Sequence, residues 1–222
     1  MSAMWHERPG TITATATDVT GRIDAICDLN WDRLQADDLR AVARVYYYFS
    51  IQFRENLEAA CELLPGDTKL LQLRREECDT DNLSPWPEIA MPGERMNHDE
   101  FMRRVIALEP LDHRRTAEID QLGAAYLRET RALPASVKAL TIASYEDGGL
   151  ERVFRAILRA PVWEGRALQA FRHFLREHIR FDSDPDAGHG ALARHLIPDD
   201  RIVPAWQSFE RILVGAAPSL SV

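Results

Sequence analysis

The sequence predicts an all-α protein. Apolar residues recur at steps of three and four along almost the whole chain, which is the spacing of one helix face. Sustained period-two alternation rich in β-branched residues, which is typical of strands, is missing outside a Thr/Ala-rich stretch near the N-terminus. Prolines and glycines divide the helical pattern into segments. We therefore expect seven or more helices packed as one bundle.

The first part of the chain predicts three helices. A short one is expected from Gly21 to Leu34, and a long one begins after Asp37 and Asp38, which can cap it and favour its positive end. The long helix stops at Pro65-Gly66, and a third helix spans about Thr68 to Asp81. The apolar stripe of the long helix consists of Ala41, Val45, Phe49, Phe53, Leu57, Ala60 and Leu64.

The remainder predicts shorter helices in close succession. After a loop with two prolines, a helix begins near Asn97, a good N-cap, and runs to Leu108. The later helices are expected over Arg114 to Arg131, Pro134 to Glu146, Leu150 to Arg159, Glu164 to about Asp182, Gly190 to Leu196, and Pro204 to Val214. No linker is long enough to mark a second domain. We expect residues 1–20 to form a flexible tail and residues 21–222 a single helical domain.

Composition excludes some classes of partner. A net charge of -8 gives no electrostatic reason to expect nucleic acid or an anionic membrane surface. No segment approaches the roughly 20 uninterrupted apolar residues of a membrane span. The three cysteines have no framework spacing, which favours a reducing compartment. We therefore expect a cytoplasmic protein that binds neither nucleic acid nor membranes.

Polar residues interrupt the apolar stripes of four predicted helices. In the helix from Glu164, the stripe Leu168, Phe171 and Leu175 continues to His178 and Asp182 at steps of three and four. Three further polar residues, Glu77, His98 and Glu146, follow the same rhythm in their own helices. All of these side chains should point towards the core.

Each interruption alone has an ordinary explanation. A single histidine on an apolar stripe is more often a hydrogen-bonded core residue than a metal ligand, and a single glutamate usually lies at the edge of the core. Several buried carboxylates without counter-charges are costly, however. A shared metal cation would offset that cost, and arginine–carboxylate pairs would be a purely structural way to do so.

The order Glu77, His98, Glu146, His178, Asp182, His189 resembles the ligand series of the haem-oxygenase-like diiron oxidases and oxygenases. In that family one helix provides Glu and His, a second provides Glu, and a third provides His-x-x-x-Asp-x-x-His. Here His178 and Asp182 keep the four-residue step, and Glu146 precedes His178 by 32 residues.

Two features depart from the family pattern. His189 lies seven residues after Asp182, with Pro185 and Gly188 between them, so it can be a ligand only if the chain bulges there; Asp186 and His189 could instead form a pair three residues apart. A loop with prolines separates Glu77 from His98. The first carboxylate could therefore also come from one of four further acidic residues: Glu76, Asp79, Asp81 or Glu88.

The resemblance implies a haem-oxygenase-like fold with two iron(II) ions, leaving open whether manganese replaces one. Glu77, His98 and His178 would bind one ion, and Glu146, Asp182 and His189 would bind the other, with dioxygen as co-substrate. The implied activity is desaturation, C–C cleavage or N-oxygenation of a small carboxylate-bearing metabolite, with an amino acid as the expected substrate. An arginine would pair with the substrate carboxylate. The sequence leaves a homodimer open.

Two hypotheses besides the diiron enzyme stay open. One is a metal-free enzyme of the same fold, either a thiaminase-like hydrolase or a cofactorless oxidase, with His178 and Glu146 as acid and base and, in the thiaminase-like case, Cys78 as nucleophile. The second is a non-enzymatic helical binding protein in which arginines neutralise the buried acids. The sequence also leaves open whether Tyr46, Tyr47 or Tyr48 approaches the centre.

Overall fold

The computed structural model describes residues 18–182 and 188–221 and confirms the all-α prediction. Its α-helices are α1 (Val19–Cys27), α2 (Ala36–Leu63), α3 (Thr68–Glu77), α4 (His98–Leu108), α5 (His113–Arg131), α6 (Ala135–Ser144), α7 (Leu150–Ile157), α8 (Arg166–Asp182), α9 (His189–Ala193) and α10 (Val203–Ala216). Within these ranges there is no strand, and none of the helices is both long and apolar enough to cross a membrane.

Helix α2 is the central helix of the bundle. It packs against α4, α5, α6, α8 and α10, and its predicted stripe is buried except for the half-buried Leu64. The prediction that Asp37 and Asp38 cap this helix is wrong, because the N-cap is Gln35. Both aspartates lie in the first turn, where they still face the positive end of the helix dipole.

The first helix is shorter than predicted. Helix α1 ends at Cys27 rather than Leu34, and a separate 3-10 turn covers Trp31–Arg33. Trp31 is completely buried, and its Nε1 donates a hydrogen bond to the carbonyl of Ile26 at 2.8 Å. Burying that side chain therefore requires the chain to turn instead of continuing as a helix. The predicted N-terminal tail lies mostly outside the described residues.

Helix α3 ends at Glu77, four residues earlier than predicted, and the chain beyond it folds back to α4. The loop is closed by a pair of backbone hydrogen bonds between Thr80 and Met96, at 3.0 and 2.9 Å. The Asn97 side chain also accepts a hydrogen bond from the backbone N–H of Asp79. These contacts bring the end of α3 next to the start of α4.

Helices α6 and α7 are joined by a π-helical segment, Tyr145–Gly149. The segment departs from helical geometry at Asp147 and at Gly148, whose φ of 88° suits glycine. The sequence predicted that helix α6 would reach Glu146, whereas it ends at Ser144. Glu146 therefore lies in the irregular turn, and the wider turn directs its side chain into the core.

Helix α9 packs against the π-helical segment. An added Cβ at Gly190 would lie only 3.0 Å from the backbone oxygen of Glu146, so the two elements approach closely there. Arg194 forms an ion pair with Asp147 at 2.9 Å across the same contact. The predicted bulge at Pro185 and the pairing of Asp186 with His189 involve positions outside the described residues. His189, at the start of α9, is buried.

Candidate metal centre

Six polar side chains predicted from the sequence meet in the core. They come from the end of α3, the start of α4, the π-helical segment, the C-terminal half of α8 and the start of α9: Glu77, His98, Glu146, His178, Asp182 and His189. The structure buries each of these side chains almost completely. The contacts that join them form two overlapping groups that share Glu77.

The first group contains Glu77, His98 and His178. The Nδ1 atom of His98 lies 2.8 Å from Oε2 of Glu77 and 3.1 Å from Nε2 of His178. One potential ligand atom from each residue lies within 4.8 Å of the others. This group joins the end of α3 and the start of α4 to the C-terminal half of α8.

The outer nitrogens of these two histidines already have acceptors. Nε2 of His98 lies 3.1 Å from Oδ1 of Asn82, and Nδ1 of His178 lies 2.8 Å from the backbone oxygen of Phe174. Both outer nitrogens must therefore carry the proton in a neutral ring. If both rings are neutral, the inner nitrogens, Nδ1 of His98 and Nε2 of His178, are unprotonated and present lone pairs to each other.

The second group surrounds His189. Its Nδ1 lies 3.0 Å from Oε1 of Glu77, 3.3 Å from Oδ1 of Asp182 and 3.4 Å from Oε2 of Glu146. A single ring N–H has one proton and cannot donate a good hydrogen bond to three carboxylates. In keeping with this, the facing atoms of Glu77, Asp182 and His189 have no hydrogen bond of acceptable geometry among the described residues.

Glu76 is close to the centre, but it lies behind His189. Its Oε2 is 3.4 Å from Nε2 of His189, the nitrogen that faces away from the three carboxylates. Glu77 is therefore the carboxylate of α3 that enters the centre. Three acidic residues that the sequence allowed in its place lie elsewhere: Asp79 is near Arg95, Glu88 pairs with Arg166, and Asp81 is on the surface.

Glu77 joins the two groups through its two oxygens. Oε2 faces His98 and Oε1 faces His189, so each oxygen belongs to a different group. This arrangement suits a carboxylate that bridges two cations. Ligand atoms at right angles around a metal, with bonds of about 2.1 Å, lie about 3 Å apart. The observed spacings of 2.8 to 3.4 Å are close to that value.

Burial and mutual repulsion raise the pKa values of two carboxyl groups of the centre, whereas facing histidines lower the pKa of the third. Burial, together with the charge of Asp182, raises the pKa of Glu146 to about 8, and burial raises that of Asp182 to about 6. Burial also favours a neutral Glu77, but the facing histidines outweigh it and hold its pKa well below the usual range. The centre thus carries more acid than it can hold fully ionised without cations.

The histidines show the same competition. Burial and the neighbouring His98 lower the pKa of His178 to about 3, so this ring is neutral. Burial disfavours a charged His189, but the carboxylate of Glu77 and its two acidic neighbours outweigh burial and raise its pKa. Without a metal, a proton on His189 is the counter-charge within the second group.

Arginines do not neutralise the buried acids among the described residues. In the described part of the chain, the ion-pair partners of these acids are histidines. Glu77 pairs with His98 and His189, and both Glu146 and Asp182 pair with His189. A binding protein with arginine–carboxylate pairs in its core would have guanidinium groups at these positions. The described geometry thus favours a cation over arginine pairing.

A pocket adjoins the first group. Its free volume is about 20 Å³, which is room for about one water molecule, and its lining includes Glu77, His98, Glu146 and His178. The other walls are largely aromatic, from Tyr46, Phe49, Phe53 and Phe174, while Arg54, Asp99 and Cys78 add polar groups. Arg54 is bonded to Asp99 at 3.0 Å and to Glu58 at 3.3 Å. The centre therefore has a small, mainly apolar chamber beside it.

Cys78 lines this pocket but is poorly suited to act as a nucleophile. Burial and the nearby carboxylate of Glu77 raise the pKa of its thiol to about 12. A thiolate is the reactive form of cysteine, and such a pKa keeps the group protonated near neutral pH. The geometry therefore gives little support to a thiaminase-like use of this residue.

The sequence did not point to the residues that orient the histidines. Asn82 lies in a loop, and its Nδ2 donates to the backbone oxygen of Glu76 at 2.8 Å, which fixes Oδ1 towards His98. The sequence indicated Glu76 only as a possible ligand, and the backbone oxygen of Phe174 has no sequence signature. Of these contacts, a local pattern could have indicated only the one between His178 and the backbone oxygen of Phe174, because Phe174 precedes His178 by one helical turn.

No protein-family model, no curated protein and no solved structure matches the chain. The candidate centre is therefore defined by the chain's own geometry: three carboxylates and three histidines, buried in two groups that share one carboxylate. Buried glutamate and histidine groups of this kind could hold a metal ion.

Proposed function

We propose that the protein is a non-haem diiron oxidase or oxygenase of haem-oxygenase-like fold. Glu77, His98 and His178 hold one iron(II), and Glu146, Asp182 and His189 hold the other. Glu77 would contribute to both positions, because Oε2 faces His98 and Oε1 faces His189. Three carboxylates offset most of the charge of two dications, and imidazole is a suitable ligand for iron.

The observation that carries the proposal is the orientation of the histidines. Each outer nitrogen lies near an acceptor, from Asn82, Phe174 or Glu76, and each inner nitrogen faces other acceptor atoms. Neutral rings in this arrangement would direct lone pairs at lone pairs and at carboxylate oxygens. A cation between them converts that repulsion into ligation, and such outer partners are typical of metal-bound histidines.

A pair of iron(II) ions, when bound, would supply two of the four electrons that reduce dioxygen to water, the substrate would supply the other two, and an external reductant would return the ions to iron(II). The chain's own contribution is to hold the ligands, exclude water and bind the substrate. Phe154 and Phe174 pack against His178, with ring centroids 5.7 and 4.1 Å away. These rings limit the access of water to the first group.

A small organic substrate could bind in this pocket only after side chains move apart, because the cavity has room for about one water molecule. Its aromatic walls suit an apolar body, and Arg54 is the guanidinium among its lining residues. Arg54 pairs with Asp99 and Glu58. It can therefore bind the carboxylate of a substrate only if these ion pairs rearrange. We propose a carboxylate-bearing metabolite, such as an amino acid, as the substrate.

Metal binding is the first test of this function. Purified protein, freed of metal by a chelator and loaded anaerobically with iron(II), should bind two ions per chain. Glu77→Gln should reduce binding at both positions because it removes the shared ligand. Glu177→Gln is a matched control, since this residue precedes His178 on α8 and pairs with Arg180 near the surface. Failure of the wild type to bind iron would contradict the proposal.

The reaction is the second test. With a chemical reductant present, iron-loaded protein should consume dioxygen, and a member of a panel of amino acids and small carboxylic acids should accelerate that consumption and yield an oxidised product by mass spectrometry. His113→Ala, an exposed change at the start of α5, should leave the rate unchanged, whereas His178→Ala should abolish it. Stoichiometric iron without any dioxygen consumption would support a metal site but contradict the oxidase.

A further inference from the structure

Tyr46 is a buried tyrosine whose hydroxyl has no partner among the described residues. Its side chain is 1 % exposed, and its oxygen makes no hydrogen bond to any of them. Buried polar groups are nearly always hydrogen-bonded, so an exception requires an explanation. Other tyrosines of this protein follow the rule. The hydroxyls of Tyr126 and Tyr145 bond to Gln52, and that of Tyr48 bonds to Asp120.

The ring of Tyr46 is held firmly by other aromatic rings. It packs against five phenylalanines with ring centroids between 5.2 and 6.3 Å away: Phe49, Phe154, Phe171, Phe174 and Phe209. A sixth phenylalanine would fit such surroundings without the cost of an unpaired hydroxyl. The hydroxyl therefore serves something other than packing.

The position of Tyr46 indicates what its hydroxyl serves. Tyr46 lines the pocket that also exposes Glu77, Glu146 and His178. Burial first, and then the carboxylates of the centre, raise the pKa of the phenol, so the group lies within their electrostatic reach and stays protonated. A protonated phenol is a hydrogen-bond donor, and Tyr46 lines the same pocket as three residues of the candidate metal centre.

We propose that the Tyr46 hydroxyl donates a hydrogen bond to a small exogenous anion or oxygen-donor ligand bound at the metal centre. This inference rests on the proposed metal site. The donor would orient the ligand within the pocket and stabilise the negative charge on its outer atom, as preorganised donors do in water-excluded sites. Tyr46 is thereby a positioning group for ligands of the metals and not itself a metal ligand.

Azide binding to cobalt(II)-loaded protein tests the inference without any turnover. Azide is a small anionic ligand, and the visible absorption of cobalt(II) reports its binding. Tyr46→Phe should bind two cobalt ions like the wild type but bind azide about tenfold more weakly, because one hydrogen bond to a charged ligand is lost. Tyr126→Phe is the matched control, since it removes the hydroxyl of a buried tyrosine whose partner, Gln52, lies outside the pocket lining.

The outcomes separate this inference from the metal site. Equal azide affinity in wild type and Tyr46→Phe, with two cobalt ions bound in each, would overturn the role of Tyr46 and leave the metal site intact. A wild type that binds no cobalt would overturn both. If Tyr46→Phe does not fold, zinc-loaded wild type containing 3-fluorotyrosine provides the test. Azide should then shift one fluorine resonance, and the same resonance should still be present in Tyr126→Phe, so that it does not belong to Tyr126. Fluorine resonances that azide leaves unchanged would overturn the inference.

Discussion

Individual side chains around the centre influence which ring nitrogen of each histidine carries a proton. Asn82 shows this most clearly, because its amide is fixed by the backbone of Glu76 and leaves only an acceptor for His98. A neutral His98 ring therefore directs an unprotonated nitrogen at Glu77 and His178. A loop residue thus determines which atom of a helix residue is available to a cation.

Replacing Asn82 should weaken metal binding although Asn82 is no ligand. Asn82→Ala removes the acceptor for Nε2 of His98, and we expect iron(II) affinity at the first position to fall about 10- to 100-fold. Asn82→Asp keeps an acceptor oxygen and should stay closer to the wild type. Isothermal titration calorimetry under anaerobic conditions measures the change. Unaltered affinity in Asn82→Ala would contradict the orienting role.

Glu146→Gln should have opposite effects on stability and on metal binding. In metal-free protein, Glu146 is a buried acid close to other acids, and the isosteric amide removes its desolvation and repulsion. We expect the free energy of unfolding to rise by about 1 to 3 kcal/mol. Metal capacity should fall from two ions towards one, because the first group does not include this residue. Urea unfolding with a chelator present measures the first effect, and a loss of stability would contradict it.

Short, irregular elements connect the ligand-bearing helices. The stripes of α8 and α3 correctly predicted inward positions for His178 and Glu77, because side-chain direction within a helix follows from spacing alone. The neighbourhood of Glu77 and His98 could not be predicted in that way. It depends on the early end of α3 and on the backbone pairing of Thr80 with Met96, and neither has a periodic signal.

His189 illustrates the same limit. The spacing from Asp182 to His189 did not fit one continuous helix, so the sequence could only offer a conditional position for His189. In the structure the separate helix α9 delivers it, held by the close approach of Gly190 to the backbone of Glu146. Such packing between two short segments is a tertiary feature that local sequence patterns do not encode.

Gly190→Ala should disturb the second group selectively. The new Cβ would lie 3.0 Å from the backbone oxygen of Glu146 and 3.3 Å from Oδ1 of Asp147, so α9 and the facing segment must separate by a few tenths of an ångström. We expect a loss of about 1 kcal/mol in stability and weaker binding of the second iron. Gly66→Ala is the control, since its Cβ would meet no atom within 4 Å. Equal second-site affinity in both variants would contradict this positioning of His189.

The whole molecule combines an ordinary apolar core with a strongly charged centre. The buried apolar residues form one connected cluster from Ile23 to Leu220, which the hydrophobic periodicity predicted well. The centre, by contrast, places three acids within that core. A protein with this arrangement should be less stable without its cations than with them.

Metal loading should therefore raise the melting temperature. Each ion at 100 times its dissociation constant stabilises the folded state by about 2.7 kcal/mol. For a chain of this length, the contribution of each ion corresponds to a rise in melting temperature of roughly 5 to 10 °C. Differential scanning calorimetry with and without iron(II) measures the shift, and His178→Ala should show a smaller one. A melting temperature insensitive to iron would contradict the coupling of the centre to stability.

Anomalous X-ray diffraction at the iron edge, on crystals of protein loaded anaerobically with iron(II), tests the proposed diiron centre most directly. We predict two peaks about 3.5 to 4 Å apart. One should lie between Glu77, His98 and His178, and the other should lie among the carboxylates around His189. No peak at these side chains, or iron bound only at other residues, would contradict the proposed centre.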